Sequence, residues 1–458
     1  MPWVNPDIFR EYDIRGLVDK DLNDDTVDLL GRAYGTYLRR RGLNDVIVGR
    51  DNRLSSDRYR EVLTRALTST GCDVLDIGLV VTPIFYFARV RYEVDGGIMI
   101  TGSHNPPEYN GFKLGKGPAT MYGPEIQEIR RIIEQGRFER GSGSVHQRDP
   151  VPDYISTIVR GIRLGPRRIT AVVDAGNGTA GLFAPQILSA LGVDVVPLYC
   201  EPDGSFPNHF PDPVKPENLK DLARAVVDAG ADLGIAFDGD ADRIGVVDEK
   251  GMPLWGDVLM ILFWREILPR NPGTPALVEV KCSQALIDEI VRLGGRPIFS
   301  RTGHSLIKAR MREVGALFTG EMSGHMFFAD EYYGYDDALY ASARLMRILS
   351  NDSGTLSEML STVPRYHSTP ETRVDCPDDA KFRIVDEVRN DFKTRYEVVD
   401  VDGARVVFPE GWGLVRASNT QPALVLRAEA KDPTALESIK REIATRLEKY
   451  PEVGRIEW

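Results

Sequence analysis

The chain is poor in cysteine. It has four in 458 residues, Cys72, Cys200, Cys282 and Cys376, scattered and with no CxxC pair. That excludes a zinc-finger spacing and a disulfide framework. It also lacks a long apolar run. The longest stretches, such as Val258–Trp264, are far too short to cross a bilayer. The opening MPWVNPDIFREYDIRG carries charges where a signal peptide needs an apolar core. These absences predict a cytoplasmic protein with no membrane partner. Excess positive charge is missing too: the net charge is −11. Nonspecific nucleic-acid binding relies on Lys and Arg to neutralise phosphates, so no nucleic-acid partner is expected. An acidic small substrate is still compatible, because the lining of a cleft sets its local field. No low-complexity tract or heptad array is present.

What is present is alternation. Hydrophobic residues make up 42% and charged residues 27%, ordinary for a globular chain. Short β-rich runs alternate with helical patterns, predicting α/β domains with largely parallel sheets. A strand–helix–strand unit recurs with strands beginning at Val46–Gly49, Ile169–Asp174 and Ala276–Lys281, and with helices that stop near glycine. Breaks are expected at the Gly/Ser-rich stretch 141–154, near Gly251–Asp257 and near Pro364–Pro370. They divide the chain into 1–150, 151–254, 255–367 and 368–458, the last with an α+β rhythm.

The segment LGIAFDGDADRIGVVD places Asp238, Asp240 and Asp242 at alternate positions in a turn between two apolar strands. Three carboxylates held together repel unless protonated or bound to a cation. Their hard oxygens suit Mg²⁺, with Mn²⁺ possible. An acidic hairpin turn satisfies the same pattern. An EF-hand does not, because its sixth position needs Gly and here is Arg243.

The strand GGIMI runs into TGSHNPPEYNGFK, a loop where open α/β sheets bind ligands. Ser103 is a candidate nucleophile or phosphoryl carrier there, and Lys113 follows ten residues on. A polar turn stabilised by Asn and Pro is the plainer reading. His104 is expected to point away from Ser103, since neighbours in extended chain face opposite sides. A serine beside a divalent ion suits phosphoryl transfer. Further along, GWGLVRASNTQP gathers Arg416, Ser418, Asn419 and Thr420, a set suited to a phosphate. FTGEMSGHMFF offers Glu321, Ser323 and His325 for sugar hydroxyls and proton transfer. RTGH ends in Gly303 and His304, and FREYDIRG supplies Arg10 and Arg15. Each fits an ordinary structural role equally well when taken singly.

Taken in order, FREYDIRG, TGSHNP, NGFK, DGDADR, VKCS, RTGHS, GEMSGH and GWGLVRASNTQP span residues 9–422. Together they resemble the α-D-phosphohexomutase family, in its phosphomannomutase/phosphoglucomutase branch. The resemblance implies three similar mixed α/β domains plus a C-terminal α+β domain around a central cleft. It implies that Ser103 carries the phosphoryl group and joins Asp238, Asp240 and Asp242 in holding one Mg²⁺. Lys113, His325, Arg15 and Arg243 match catalytic positions. Arg10, Lys281, Gly303, His304, Glu321, Ser323, Arg416, Ser418, Asn419 and Thr420 match substrate-contacting ones. The implied reaction interconverts hexose 6-phosphate and hexose 1-phosphate of mannose or glucose through a hexose 1,6-bisphosphate, in a monomer or weak homodimer. A Mg²⁺-dependent sugar phosphatase and a non-catalytic phosphosugar-binding protein are the alternatives. Gly102 stands where alanine is common and Ala241 where glycine is common; both are small, and neither removes a ligand.

Overall fold

The computed structural model describes residues 4–117, 119–419 and 421–458. The chain packs as two compact units. The first holds the residues up to Phe263 together with Ser323–Ser361, and the second holds Trp264–Met322 and Thr362–Trp458. The predicted third segment, 255–367, is therefore shared between them.

Two sheets organise the first unit. In the larger one, strands Asp45–Arg50, Asp73–Leu79 and Gly96–Ile100 run parallel, and Tyr109–Lys116 returns antiparallel to Gly96–Ile100. Strand Ile14–Leu17 closes one edge, pairing antiparallel with Tyr109–Lys116. The sheet's core is aliphatic and aromatic. Helix Asp24–Arg39 buries Val27, Leu30, Tyr34 and Tyr37, packed with Val46, Val48, Ile98 and Phe112. The second sheet sets strands Thr170–Asp174, Asp194–Leu198 and Leu233–Phe237 in parallel, and Ile244–Asp248 returns antiparallel beside Leu233–Phe237.

In the second unit, strands Pro275–Glu279 and Arg296–Ser300 are parallel. The C-terminal sheet, from His367–Ser368 through Ala423–Ala430, is wholly antiparallel. Helices Asp378–Phe392 and Pro433–Leu447 pack on it through Ile384, Val388, Ile439 and Ile443.

The three predicted repeats are thus strand–helix–strand crossovers whose two strands pair parallel. The helices between them are Ser56–Ser69, Ala184–Leu191 and Gln284–Arg292. Each stops at a left-handed glycine, Gly71, Gly192 or Gly294, because only glycine takes that conformation without steric cost. The four-part architecture, three mixed α/β parts and a C-terminal α+β part, is as expected. One stretch differs. Residues 141–154, read as a loop, contain strand Val145–Gln147, parallel to Asp73–Leu79, and the start of helix Val151–Gly161. The strand is short and exposed at a sheet edge, so it carries no apolar alternation to reveal it. Among the described residues, no helix is long and apolar enough to cross a membrane.

Candidate active site

Both loops that carry the chemistry leave the C-terminal ends of strands in the first unit. Ser103 follows Gly96–Ile100, and Asp238 follows Leu233–Phe237. Hairpin pairing of Phe237 with Ile244 fixes the acidic turn between them. Ala241 adopts φ +56° there, the left-handed conformation that glycine takes more easily. Gly239 marks where the loops touch. A Cβ on it would lie 2.5 Å from the Ser103 carbonyl oxygen, so any side chain would push the loops apart.

Ser103 Oγ donates to Asp238 Oδ2 at 2.7 Å, joining residues 135 apart in sequence. The three aspartates are fully buried, and a ligand oxygen from each lies within 4.8 Å of the others. Asp238 Oδ1 accepts from the backbone amides of Asp242 and Arg243. Burial, together with the charges of Asp242 and Asp240, raises the Asp238 carboxyl well above its ordinary range. Lys113, on strand Tyr109–Lys116, donates to Asp240 Oδ2 at 2.8 Å and also to Asp242 Oδ2. Burial alone would depress the ammonium, but the two carboxylates raise it well above the usual lysine value. For Asp242 the balance is reversed: burial is the largest influence and opposes ionisation, but Lys113, His325 and Arg243 together outweigh it and lower the carboxyl.

The donor set fits a small hard cation. Asp240 Oδ1 and Asp242 Oδ1 are buried and have no hydrogen-bond partner, a costly state that a cation would relieve. At Mg²⁺–oxygen distances near 2.1 Å, ligands sit about 3.0 Å apart when adjacent and about 4.2 Å apart when opposed. Three oxygens within 4.8 Å of one another suit that geometry.

Several partners of this site are silent in the sequence. Arg53 is buried and donates to the carbonyls of Ser103, Asn105, Pro106 and Tyr109, which fixes the whole serine loop. Thr82, at the start of helix Thr82–Arg91, donates its hydroxyl to Asp240 Oδ2 at 2.6 Å and its amide to the Asp240 carbonyl at 3.0 Å. His104 does not point away. Its Nδ1 lies 3.1 Å from Ser103 Oγ, because Ser103 is left-handed at φ +48° and not extended. Desolvation and the cations Arg243 and Arg15 hold the His104 ring well below the usual imidazole value. Arg15 reaches Asn105 of the same loop and pairs with Asp13, whereas the Arg10 side chain is exposed.

Family models of phosphoglucomutase/phosphomannomutase match the chain in four successive stretches. Three α/β/α domain models cover residues 6–140, 152–251 and 255–366, and the C-terminal domain model covers 371–446. The chain is also 47% identical over 440 residues to a phosphomannomutase/phosphoglucomutase from Pseudomonas aeruginosa, spanning 96% of this chain and 95% of that one. This chain belongs to the phosphoglucomutase/phosphomannomutase family. A phosphoglucomutase from Neisseria gonorrhoeae is 44% identical over 456 residues, 98% of this chain and 99% of the relative. The crystal structure of a phosphoglucomutase/phosphomannomutase family protein from Burkholderia thailandensis superposes with a TM-score of 0.93 at 43% identity, covering 98% of each chain.

The remaining residues of the family motifs fall in the second unit, apart from Ser323 and His325. Within that unit Gly303, Glu321, Lys281 and Arg416 join one polar network. Glu321 is buried and accepts from the Gly303 amide at 2.7 Å. Neighbouring Thr302 donates its amide to Asp402 Oδ2 and its hydroxyl to Glu279 Oε1. Asp402 Oδ2 also accepts from Arg416 Nε at 3.0 Å. Lys281 lies 3.3 Å from Glu279 and 2.8 Å from Glu371. Its charge draws the Glu371 carboxyl down to about 2. Ser418 accepts from the Gln421 amide, and Asn419 follows it in the turn between strands Gly411–Ala417 and Ala423–Ala430. His304 begins helix His304–Val314, with Gly303 ahead of it at φ +127°. Thr420 lies outside the described residues.

Proposed function

We propose that the chain is a hexose phosphate mutase that interconverts hexose 6-phosphate and hexose 1-phosphate of mannose, glucose or both. Ser103 carries the phosphoryl group. In the first half-reaction the P–O bond to Ser103 breaks and a P–O bond forms to the free sugar hydroxyl. The hydroxyl proton passes to a basic group, Ser103 Oγ takes up a proton as it leaves, and a hexose 1,6-bisphosphate results. In the second half-reaction the other phosphoryl group returns to Ser103, and the sugar leaves as the isomer. Asp238, Asp240 and Asp242, with the phosphorylated Ser103, would hold one Mg²⁺, which would neutralise charge on the moving phosphoryl group.

The residues around that centre position and balance charge. Lys113 offsets two of the carboxylates, and Arg15 and Arg243 supply guanidinium groups suited to phosphoryl oxygens. Lys113 and His325 are proposed to handle the hydroxyl proton, and Arg10 to contribute positive charge to substrate binding. Lys281, Gly303, His304, Glu321 and Ser323 are assigned to the sugar, and Arg416, Ser418, Asn419 and Thr420 to the phosphate that does not transfer. Domain limits near residues 150, 254 and 367 go with this reading.

The observation that carries the proposal is the 2.7 Å contact between the Ser103 hydroxyl and a buried aspartate trio in which two oxygens have no hydrogen-bond partner. The test is isomer formation from glucose 1-phosphate and mannose 1-phosphate, each with and without the 1,6-bisphosphate. It is run on the wild type and on Ser103→Ala, with mass spectrometry of the Ser103 peptide. Loss of turnover in the variant, with phosphate on wild-type Ser103, is expected. Unchanged turnover in Ser103→Ala, or inorganic phosphate released as fast as isomer forms, would overturn it.

A further inference from the structure

Residues 51–53 follow strand Asp45–Arg50 and divide their bonds between the two sheets of the first unit. Asp51 accepts the Gly102 amide at 3.3 Å and lies 3.3 Å from Arg53 Nε. Arg53 in turn binds carbonyls along the serine loop. Both therefore serve the Ser103 side. Asn52, between them, turns to the other sheet. Its amide donates to Thr179 Oγ1 at 3.0 Å, and its carboxamide oxygen accepts from that same hydroxyl at 2.9 Å. Its carboxamide nitrogen donates to the Asn177 carbonyl at 2.8 Å. Thr179 is fully buried. One hydroxyl can both donate and accept, and here it does both with a single partner residue.

Residues 177–179 come after strand Thr170–Asp174, and Thr179 opens the short helix Thr179–Leu182. The Thr179 amide donates at 3.1 Å to the carbonyl of Gly239, the residue between Asp238 and Asp240. Gly178 packs against the same turn: a Cβ on it would lie 3.0 Å from Gly239 Cα. The segment is also anchored on its own side. Asn177, left-handed at φ +59°, donates its amide to the Tyr199 carbonyl at 2.8 Å and its carboxamide to the Glu201 carbonyl at 2.9 Å. Thr179 thus grips the acidic turn through its amide and Asn52 through its hydroxyl. A continuous run leads from Gly239 through Thr179, Asn52 and Arg53 to the Ser103 carbonyl.

We propose that Asn52 and Thr179 form a latch that sets Ser103 against the aspartates, and that both are positioning residues for phosphoryl transfer. The latch rests on the mutase reading for its effect on turnover, and adds to it the means by which two sheets keep one reaction centre in register. Ser103 Oγ and Asp238 Oδ2 meet at 2.7 Å across the two loops, and the latch holds the same two loops from behind. A misplacement of about 1 Å at a reacting centre can cost about a hundredfold in rate.

The test is hydrogen exchange read by mass spectrometry on the full chain and on Thr179→Val, which keeps the shape of the side chain and removes its hydroxyl. Opening of residues 101–111 is expected to rise about tenfold or more, the scale of two neutral hydrogen bonds, although the substitution lies on the other sheet. Faster exchange confined to residues 175–183 would overturn the proposal. Asn52→Ala runs the test in the opposite direction. It is expected to loosen residues 238–244, and unchanged exchange there would overturn the proposal. Asn52 is partly exposed, so this variant reads the latch even if Thr179→Val does not fold. Exchange involves no turnover, so its outcome is separate from that of Ser103→Ala.

Activity adds a second readout. The sugar and the phosphate that does not transfer are assigned to other residues, so Thr179→Val should lower kcat by about tenfold or more and leave KM close to the wild-type value. Thr179→Ser keeps the hydroxyl and should retain most of the wild-type kcat. Equal kcat losses in the two variants, or a change in KM alone, would overturn the positioning role.

Discussion

Replacing Lys113 with methionine keeps most of the aliphatic stem and removes the ammonium that bridges Asp240 and Asp242. All three side chains are at most 5% exposed, so solvent screens the pair little. Removing one partner of a buried ion pair typically costs about 3–5 kcal/mol, because the remaining charge has no compensation. The first unit contains roughly 300 residues, and at about 2.1 cal/mol/K per residue its unfolding entropy is about 0.6 kcal/mol/K. The variant should therefore melt about 5–8 °C below the wild type when divalent ions are chelated. Added Mg²⁺ should restore more stability to the variant than to the wild type, since the exposed need for positive charge is greater. Saturation at a hundred times the dissociation constant contributes about 2.7 kcal/mol. Scanning calorimetry in EDTA and in excess Mg²⁺ measures both effects. Equal melting temperatures in EDTA, or equal increments on adding Mg²⁺, would show that Lys113 does not balance the aspartates.

Two further outcomes follow from other contacts. Gly239→Ala places a methyl 2.5 Å from the Ser103 carbonyl. It should cost about 1–3 kcal/mol in urea unfolding, the usual scale of overpacking, and depress turnover by parting Ser103 from Asp238; full activity would contradict the close approach. His209, 3.0 Å from Asp174, is raised above its ordinary value, because the carboxylate outweighs the desolvation that opposes it. Its stabilisation is thus complete below about pH 6.5, the unfolded imidazole value, and is lost as pH rises through the higher folded value. The stability gap between the wild type and His209→Gln should narrow from pH 6 toward pH 9, and a gap independent of pH would rule the pairing out.

Periodicity and turn chemistry made much of the fold legible. Glycine stops after apolar helices marked the three crossovers, and alternating aspartates between apolar runs marked the acidic hairpin. The same local signals located the serine loop, because a polar turn after a buried strand has one place to go. What escaped was non-local. Arg53 reaches the serine loop from 50 residues away and Thr82 reaches Asp240 from 158, and no pattern around either residue differs from an ordinary surface or helix start. The backbone of Ser103 misled the reading of His104, since alternation assumes an extended chain and a left-handed residue reverses it. Lys281 could be located from its motif, but its engagement by Glu371 depends on a partner 90 residues away in sequence.

The left-handed backbone at Ser103 also restricts how this enzyme can evolve. A β-branched side chain is a marked outlier at positive φ, so threonine, which offers the same hydroxyl and lies a single codon change away, is a poor substitute there. Lineages that keep this loop are confined to serine as their hydroxyl carrier, and a switch of nucleophile would first require the turn itself to be rebuilt.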